Sequence, residues 1–306
     1  MNAMDIKSIN AAYLGKVNAA LERATALENT PELLRNAMRY SLEAGGKRIR
    51  PCLVLGVCDM LSGNENGSEG QTREMALCLA CGLEMIHTYS LIHDDLPSVD
   101  NDDMRRGRPS NHKVFGEGQA VFAGDALLTY AFEWMLENGL RFENKNYYRA
   151  MLEIAKRAGA SGMVAGQSLD LIAEAEKTMD EAMLYRIHRR KTADMLTAAI
   201  LAGAYCANAG ETQLNVLERY ADKLGLLFQL TDDILDAEGD AALMGKTLGK
   251  DAENNKLTFV SLYGLETAKE MAKQIAVEAH ALLCGNFADG AEYLHGMIDY
   301  IKDRKN

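Results

Sequence analysis

The sequence predicts an all-α fold, a single-domain multi-helix bundle with a central cavity, and three observations carry that expectation. Nearly every segment repeats its apolar positions at the helical period, with Ala, Leu, Met and Glu abundant and β-branched alternation scarce. Only four prolines occur and no Ser/Pro-rich stretch suggests a linker, so one domain over 1–306 is expected. The hydrophobic content of 48% suffices for a large core, and helices packed around it can hold a ligand between them.

Taken in order, helices are expected over about Asp5 to Leu27, Pro31 to Ala44, Pro51 to Leu61, Thr72 to His93, Gln119 to Asn138 and Asn144 to Ala158. They continue over about Gly162 to Ala173, Thr178 to Ala207, Thr212 to Asp236, Lys256 to Leu283 and Ala291 to Asp303. Thr30-Pro31 and Arg50-Pro51 read as helix starts with proline at the first position, where its missing N–H costs nothing. Gly63 to Gly67 and Gly239 to Gly245 read as loops, and no segment reads convincingly as a strand. Residues Met1 to Ala3, ahead of Met4, read as an appended scar.

Charge narrows the function classes. Lys and Arg number 33 against 44 Asp and Glu, a formal charge of −11, so nucleic acid and anionic membrane surfaces are poor partners for the whole molecule. An anionic ligand needs a local basic pocket. No apolar run reaches the ~18 to 20 residues of a membrane span. Cys52, Cys58, Cys78, Cys81, Cys206 and Cys284 mostly fall in apolar helix-like stretches, and no signal peptide is evident; reduced core thiols in a cytoplasmic protein are expected. Cys78 and Cys81 form a lone CxxC with no second pair to complete four zinc ligands, so they read as buried helix positions.

The chemistry concentrates between His87 and His112. Asp94, Asp95, Asp100, Asp102 and Asp103 crowd one short segment and are followed by Arg105, Arg106 and Arg108. Like charges a turn apart repel, the more so when desolvated, so something cationic should sit among these acids. The pattern recurs at Asp232-Asp233-Ile234-Leu235-Asp236, where Asp232 and Asp236 share a helix face with Gln229 a turn earlier. In the first copy Pro97 should end the helix near Asp95, a loop should bring Asp100 back, and His87 lies two turns before Asp94 on its face. Hard oxygen donors without a His/Cys set suit Mg2+, which typically takes one or two carboxylates plus phosphate oxygens. A single DD pair reads equally as a solvated helix end; two copies flanked by apolar residues favour the metal.

Basic residues then offer a second anion site. Gly45-Gly46-Lys47-Arg48-Ile49-Arg50-Pro51 sets cations on a flexible loop at a helix start, where free backbone N–H groups also attract phosphate. Such a run alone is usually surface solvation, but in a net acidic chain the concentration carries more weight. Arg105 and Arg106 could fork onto diphosphate oxygens. Lys191-Thr192, Lys246 and Lys256 each read alone as surface charge, and Gln167 with Asp170 reads alone as an interhelical polar contact.

Together these marks resemble the trans-isoprenyl (polyprenyl) diphosphate synthase family, and most closely its bacterial farnesyl diphosphate synthases. They are Gly45 to Pro51, the Asp94-Asp95 motif with its four-residue spacer and Arg105-Arg106-Gly107, Gly166-Gln167 with Asp170, Lys191-Thr192, Phe228-Gln229 with Asp232, Asp233 and Asp236, and Gly245-Lys246 with Lys256. The resemblance implies a homodimeric helical bundle that condenses isopentenyl diphosphate head-to-tail with allylic diphosphates, releasing diphosphate. It implies Mg2+ at Asp94, Asp100, Asp170 and Asp232, with Asp95, Asp233 and Asp236 as ligands or helpers. Arg105, Lys191, Gln229 and Lys246 would meet the allylic diphosphate, Lys47, Arg50, His87 and Arg106 the isopentenyl diphosphate, and Lys256 would stand with Lys246; Thr192 would line the reacting carbons.

The resemblance also makes Tyr89, five residues before Asp94, the floor that stops the growing tail, which would give farnesyl diphosphate. By helical angle Ser90 lies more nearly under Asp94 and Tyr89 points aside, and Asn101 also occurs in geranylgeranyl-type relatives. The rival readings are a geranylgeranyl or longer-chain synthase, a class I terpene cyclase and a non-catalytic diphosphate-binding subunit. The Lys47/Arg50 loop and the second acidic motif weigh against the cyclase, and the survival of both motifs weighs against the silent subunit.

Overall fold

The computed structural model describes residues 5–63, 69–177, 180–238, 257–287 and 290–304, and among these the chain is helical almost throughout. Local signals start several helices. The Asp5 side chain accepts the Lys7 N–H at the head of α1 (Ile6–Ala24), and Asn144 accepts from Asn146 and Tyr147 at the head of α7 (Lys145–Ala158). Between them run α2 (Glu32–Leu42), α3 (Ile49–Ser62), α4 (Glu69–Asp94), α5 (Asn111–Phe115) and α6 (Glu117–Phe142). Beyond α7 come α8 (Met163–Glu176), α9 (Glu181–His188), a π-helical turn (Arg189–Ala193), α10 (Asp194–Cys206) and α11 (Glu211–Glu238). The described chain closes with α12 (Phe259–Tyr263), α13 (Leu265–Cys284) and α14 (Glu292–Lys302).

The centre is built on α4 and α10. Met195 to Ala204 of α10 are all buried, as is most of α4, which explains why these segments read as apolar on every face. α4 packs on α6 and α3, α10 on α3, α7 and α11, and α11 on α13. By length and composition α4 could cross a membrane, contrary to the expectation that nothing in the chain would, but 83% of the qualifying window is buried inside the bundle.

Four local expectations are corrected. Pro31 caps α2 from outside and Pro51 is the third residue of α3, still within the turn whose N–H groups have no helical acceptor. Met104–Arg105 and Arg108–Pro109 form a two-residue hairpin where no strand was expected. Its turn puts Arg106 and Gly107 at φ 53° and 73°, the conformation a tight hairpin of this hand requires. Gly264, at φ 81°, separates α12 from α13 where one continuous helix was expected. Cys284 is exposed, whereas the other five free cysteines are buried.

Candidate active site

The end of α4 and the loop after it create the first acidic wall. The Asp100 N–H donates to the Asp94 carbonyl at 2.9 Å, so the loop does fold back, and Asn101 takes the left-handed φ of 48° that asparagine tolerates. Asp94, Asp100 and Asp102 thereby line a cavity of about 400 Å³. Asp95 turns away from it. Only 2% exposed, it accepts the Arg105 Nε–H at 2.9 Å and borders a smaller neighbouring pocket together with Arg106.

The second wall is α11. Gln229, Asp232, Asp233 and Asp236 line the same cavity as Asp94, so the two acidic motifs face one hollow. Asp233 is nearly buried and is held as a brace: it accepts from the Gln229 amide at 3.0 Å and from the Phe259 backbone N–H at 2.8 Å, tying α11 to α12. Gln229 in turn accepts the Thr192 hydroxyl at 3.0 Å, which fixes which way its amide points.

The third wall depends on a close approach of backbones. A Cβ on Gly166 of α8 would sit 2.2 Å from the Lys191 nitrogen, so only glycine lets α8 lie against the π-helical turn. That contact puts Asp170, 9% exposed, 2.5 Å from the Lys191 ammonium, and brings Gln167 to donate to Asp94. π-helical turns recur at functional sites because they re-aim side chains without breaking the helix. Here the turn carries Lys191 and Thr192 to the cavity edge.

The basic loop divides its cations. Arg50 lines the cavity, its Nη1 3.3 Å from His87 Nε2. Burial, reinforced by Arg50, Arg106, Arg48 and Arg105, holds His87 well below its ordinary pKa, so the ring is neutral and free to accept from Arg50. Arg48 instead turns inward to Glu84 at 2.5 Å. Lys47 is exposed and does not line the cavity, yet it lies within electrostatic reach of Asp232. Arg106 donates to the Gly45 carbonyl and presses on Gly46, where a Cβ would meet its guanidinium carbon at 2.8 Å. Ser90 lines the cavity and Tyr89 does not; the tyrosine is 6% exposed and meets the His93 ring edge-to-face at 5.7 Å. Lys246 and Lys256 lie outside the described residues.

One functional candidate escaped the sequence. Arg304, just past α14, donates to Asp232 at 2.6 Å and to the Phe228 carbonyl at 2.8 Å, with its guanidinium 4.0 Å from the Phe228 ring centre. No motif surrounds it, and its partners lie more than seventy residues away. Asp102, Glu174 and His188 also line the cavity without having been singled out as ligands.

The donor set fits Mg2+. Eight carboxylates among the described residues line one cavity, Asp94, Asp100, Asp170, Asp232 and Asp236 among them, and no cysteine does. Burial, opposed by Lys191 and abetted by Asp100, pushes the Asp94 carboxyl up to about 6, a group that a divalent cation would relieve. Among the described residues no three His, Cys, Asp or Glu side chains converge closely enough to hold an ion alone. Mg2+ does not ask for such a cage, since it keeps waters and binds phosphate oxygens alongside one or two carboxylates.

A helical bundle with two acid-lined walls and a cationic flank around one hollow defines an enzyme class that handles a diphosphate on an apolar tail. The chain belongs to the polyprenyl synthetase family, whose profile matches residues 31–282, and is a trans-prenyl diphosphate synthase. It is 49% identical over 255 residues to farnesyl diphosphate synthase of Geobacillus stearothermophilus, 83% of each chain being covered. It is 43% identical over 290 residues to a chloroplastic geranylgeranyl pyrophosphate synthase of Capsicum annuum, covering 95% of this chain and 76% of that one. Among solved structures it is similar to an FPP/GFPP synthase from Zymomonas mobilis, with a TM-score of 0.84, 34% identity and coverage of 98% and 99%. It is also similar to a geranyltransferase from Helicobacter pylori complexed with magnesium and isoprenyl diphosphate, with a TM-score of 0.82, 30% identity and 96% of both chains covered.

Proposed function

We propose that the enzyme condenses isopentenyl diphosphate with dimethylallyl and then geranyl diphosphate to give farnesyl diphosphate, with Mg2+ as the metal. The observation that carries this reading is the placement of Asp94 and Asp232 on facing walls of one cavity. Asp94, Asp100, Asp170, Asp232 and Asp236 would hold Mg2+, which when bound neutralises the charge that develops on the departing diphosphate. Lys191 and Arg105 add fixed positive charge at that end of the cavity, and Thr192 and Gln229 orient one another beside it. Asp95 acts on the allylic diphosphate only by aiming Arg105, and Asp233 acts by bracing α11. Arg50 and neutral His87, backed by Lys47 and Arg106, receive the isopentenyl diphosphate.

Leu91, Met163, Ile187 and Phe228 give the reacting carbons an apolar wall, which keeps water from an allylic cation. No side chain need act as a nucleophile, because the isopentenyl double bond attacks and the released diphosphate can take the final proton. Two further proposals concern the setting. The exposed Phe122, Leu136 and Leu140 on α6 and Tyr148 and Leu152 on α7 fit a second copy of the chain, and the free cysteines fit a reducing, cytoplasmic compartment.

A second reading, geranylgeranyl diphosphate as product, draws support from Tyr89 standing beside the cavity rather than in its lining, and from the Capsicum relative. The test is incubation with dimethylallyl diphosphate, excess isopentenyl diphosphate and Mg2+, followed by phosphatase treatment and chromatography of the alcohol. Farnesol as the main product is expected. Geranylgeraniol would establish the second reading, and no consumption of isopentenyl diphosphate would overturn both.

A further inference from the structure

The Tyr89 ring does not stand unsupported: a neighbour on its own helix meets it, and that neighbour is held by a different helix. One turn further along α4 the His93 ring meets Tyr89 at 5.7 Å and 83°, the edge-to-face arrangement that aromatic pairs favour. His93 is itself clamped by α6. Its Nε2 lies 3.1 Å from the Val121 carbonyl, an acceptor only, so that nitrogen carries the hydrogen. Asp125 stands 3.9 Å from the same nitrogen. Gly124 leaves the ring just enough room, since a Cβ there would fall 2.1 Å from Nε2. Tyr89 is tied to the active site in turn: burial, with the Asp94 charge adding, pushes its hydroxyl up to about 12.

We propose that His93 and Gly124 are positioning residues that hold Tyr89 in place and thereby set product length. The inference rests on the reading of Tyr89, which stands beside the cavity lining next to Ser90, as the barrier that the growing tail meets. With the imidazole gone, Tyr89 can swing toward α6 into the vacated volume, and the cavity gains depth for another isoprene unit. With a methyl group at position 124 the imidazole is driven off α6 toward Tyr89, and depth is lost. Removing the ring and crowding it therefore change chain length in opposite directions. A general loosening of the bundle would not do that.

The experiment compares the full-length enzyme with Tyr89→Ala, His93→Ala, His93→Phe and Gly124→Ala, each given dimethylallyl diphosphate, excess isopentenyl diphosphate and Mg2+. The readout is the ratio of C10, C15 and C20 alcohols after phosphatase treatment. His93→Ala should raise the C20:C15 ratio at least threefold. His93→Phe, which keeps a ring against Tyr89, should stay within twofold of the parent, and Gly124→Ala should raise the C10:C15 ratio. If Tyr89→Ala lengthens the product while His93→Ala leaves the ratio unchanged, the positioning role is wrong and the barrier stands. If Tyr89→Ala changes nothing, the barrier itself is wrong and the positioning role falls with it. Should His93→Ala fail to fold, Gly124→Ala decides the matter, and an unchanged C10:C15 ratio overturns the proposal.

Discussion

Asp94 is the residue on which pH should act. Its folded-state value of about 6 lies above the ~3.9 of an unfolded aspartate, so between those values the folded chain holds a proton that the unfolded chain has released. Stability of the metal-free protein should therefore fall as pH rises from about 4 to about 6, and Asp94→Asn should flatten that slope. A divalent cation competes with the same proton. Mn2+ affinity measured by calorimetry should rise about tenfold between pH 5 and pH 7. Equal affinity at both would mean that Asp94 does not reach the ion.

Residue type alone could not separate Asp94 from Asp95, which are adjacent and chemically identical, yet one faces the cavity and the other grips Arg105. The helical angle was informative where the helix persisted. It placed Ser90 and His87 under Asp94 and turned Tyr89 aside, and the cavity lining agrees. Arg304 was illegible because its meaning lies in a distant contact with Asp232, made from a segment with no pattern of its own.

At the scale of elements, the junction of α8 with the π-helical turn is the most exacting. The periodicity around Lys191 continues unbroken, so the sequence read as one helix and gave no hint of an extra residue in the turn. Gly166 is the device that makes the junction fit. Gly166→Ala should force the two backbones apart, costing about 1–3 kcal/mol of stability. Because Lys191 and Thr192 ride on the displaced turn, turnover should drop more than the melting temperature implies. A variant with normal kcat would show that the turn tolerates the shift.

The hairpin at Met104–Pro109 makes a comparable point in a smaller compass. Its only sequence signal was Arg106-Gly107, too brief to read as strands, yet it is what points Arg105 back at Asp95 and Asp102.

For the whole molecule, all-helical architecture was readable because it rests on a period repeated over hundreds of residues, whereas the surface carries a different message. Phe122 and Leu140 are 61% and 75% exposed and lie five turns apart on the same face of α6. A second copy covering that face should be lost in the double variant Phe122→Glu, Leu140→Glu, which sedimentation should report as a monomer beside a dimeric parent. A parent that sediments as a monomer would remove the proposed interface. The charge of −11 has its own consequence for the proposed function, since a molecule this acidic would need local cations and bound metal to draw a diphosphate in.

Most direct is a crystal of the enzyme grown with Mn2+ and inorganic diphosphate, with the ions located by anomalous scattering. The account predicts Mn2+ bound to Asp94 and Asp100 on one wall and to Asp232 on the other, with the diphosphate between them. Ions confined to one wall, or a diphosphate outside the cavity, would contradict it.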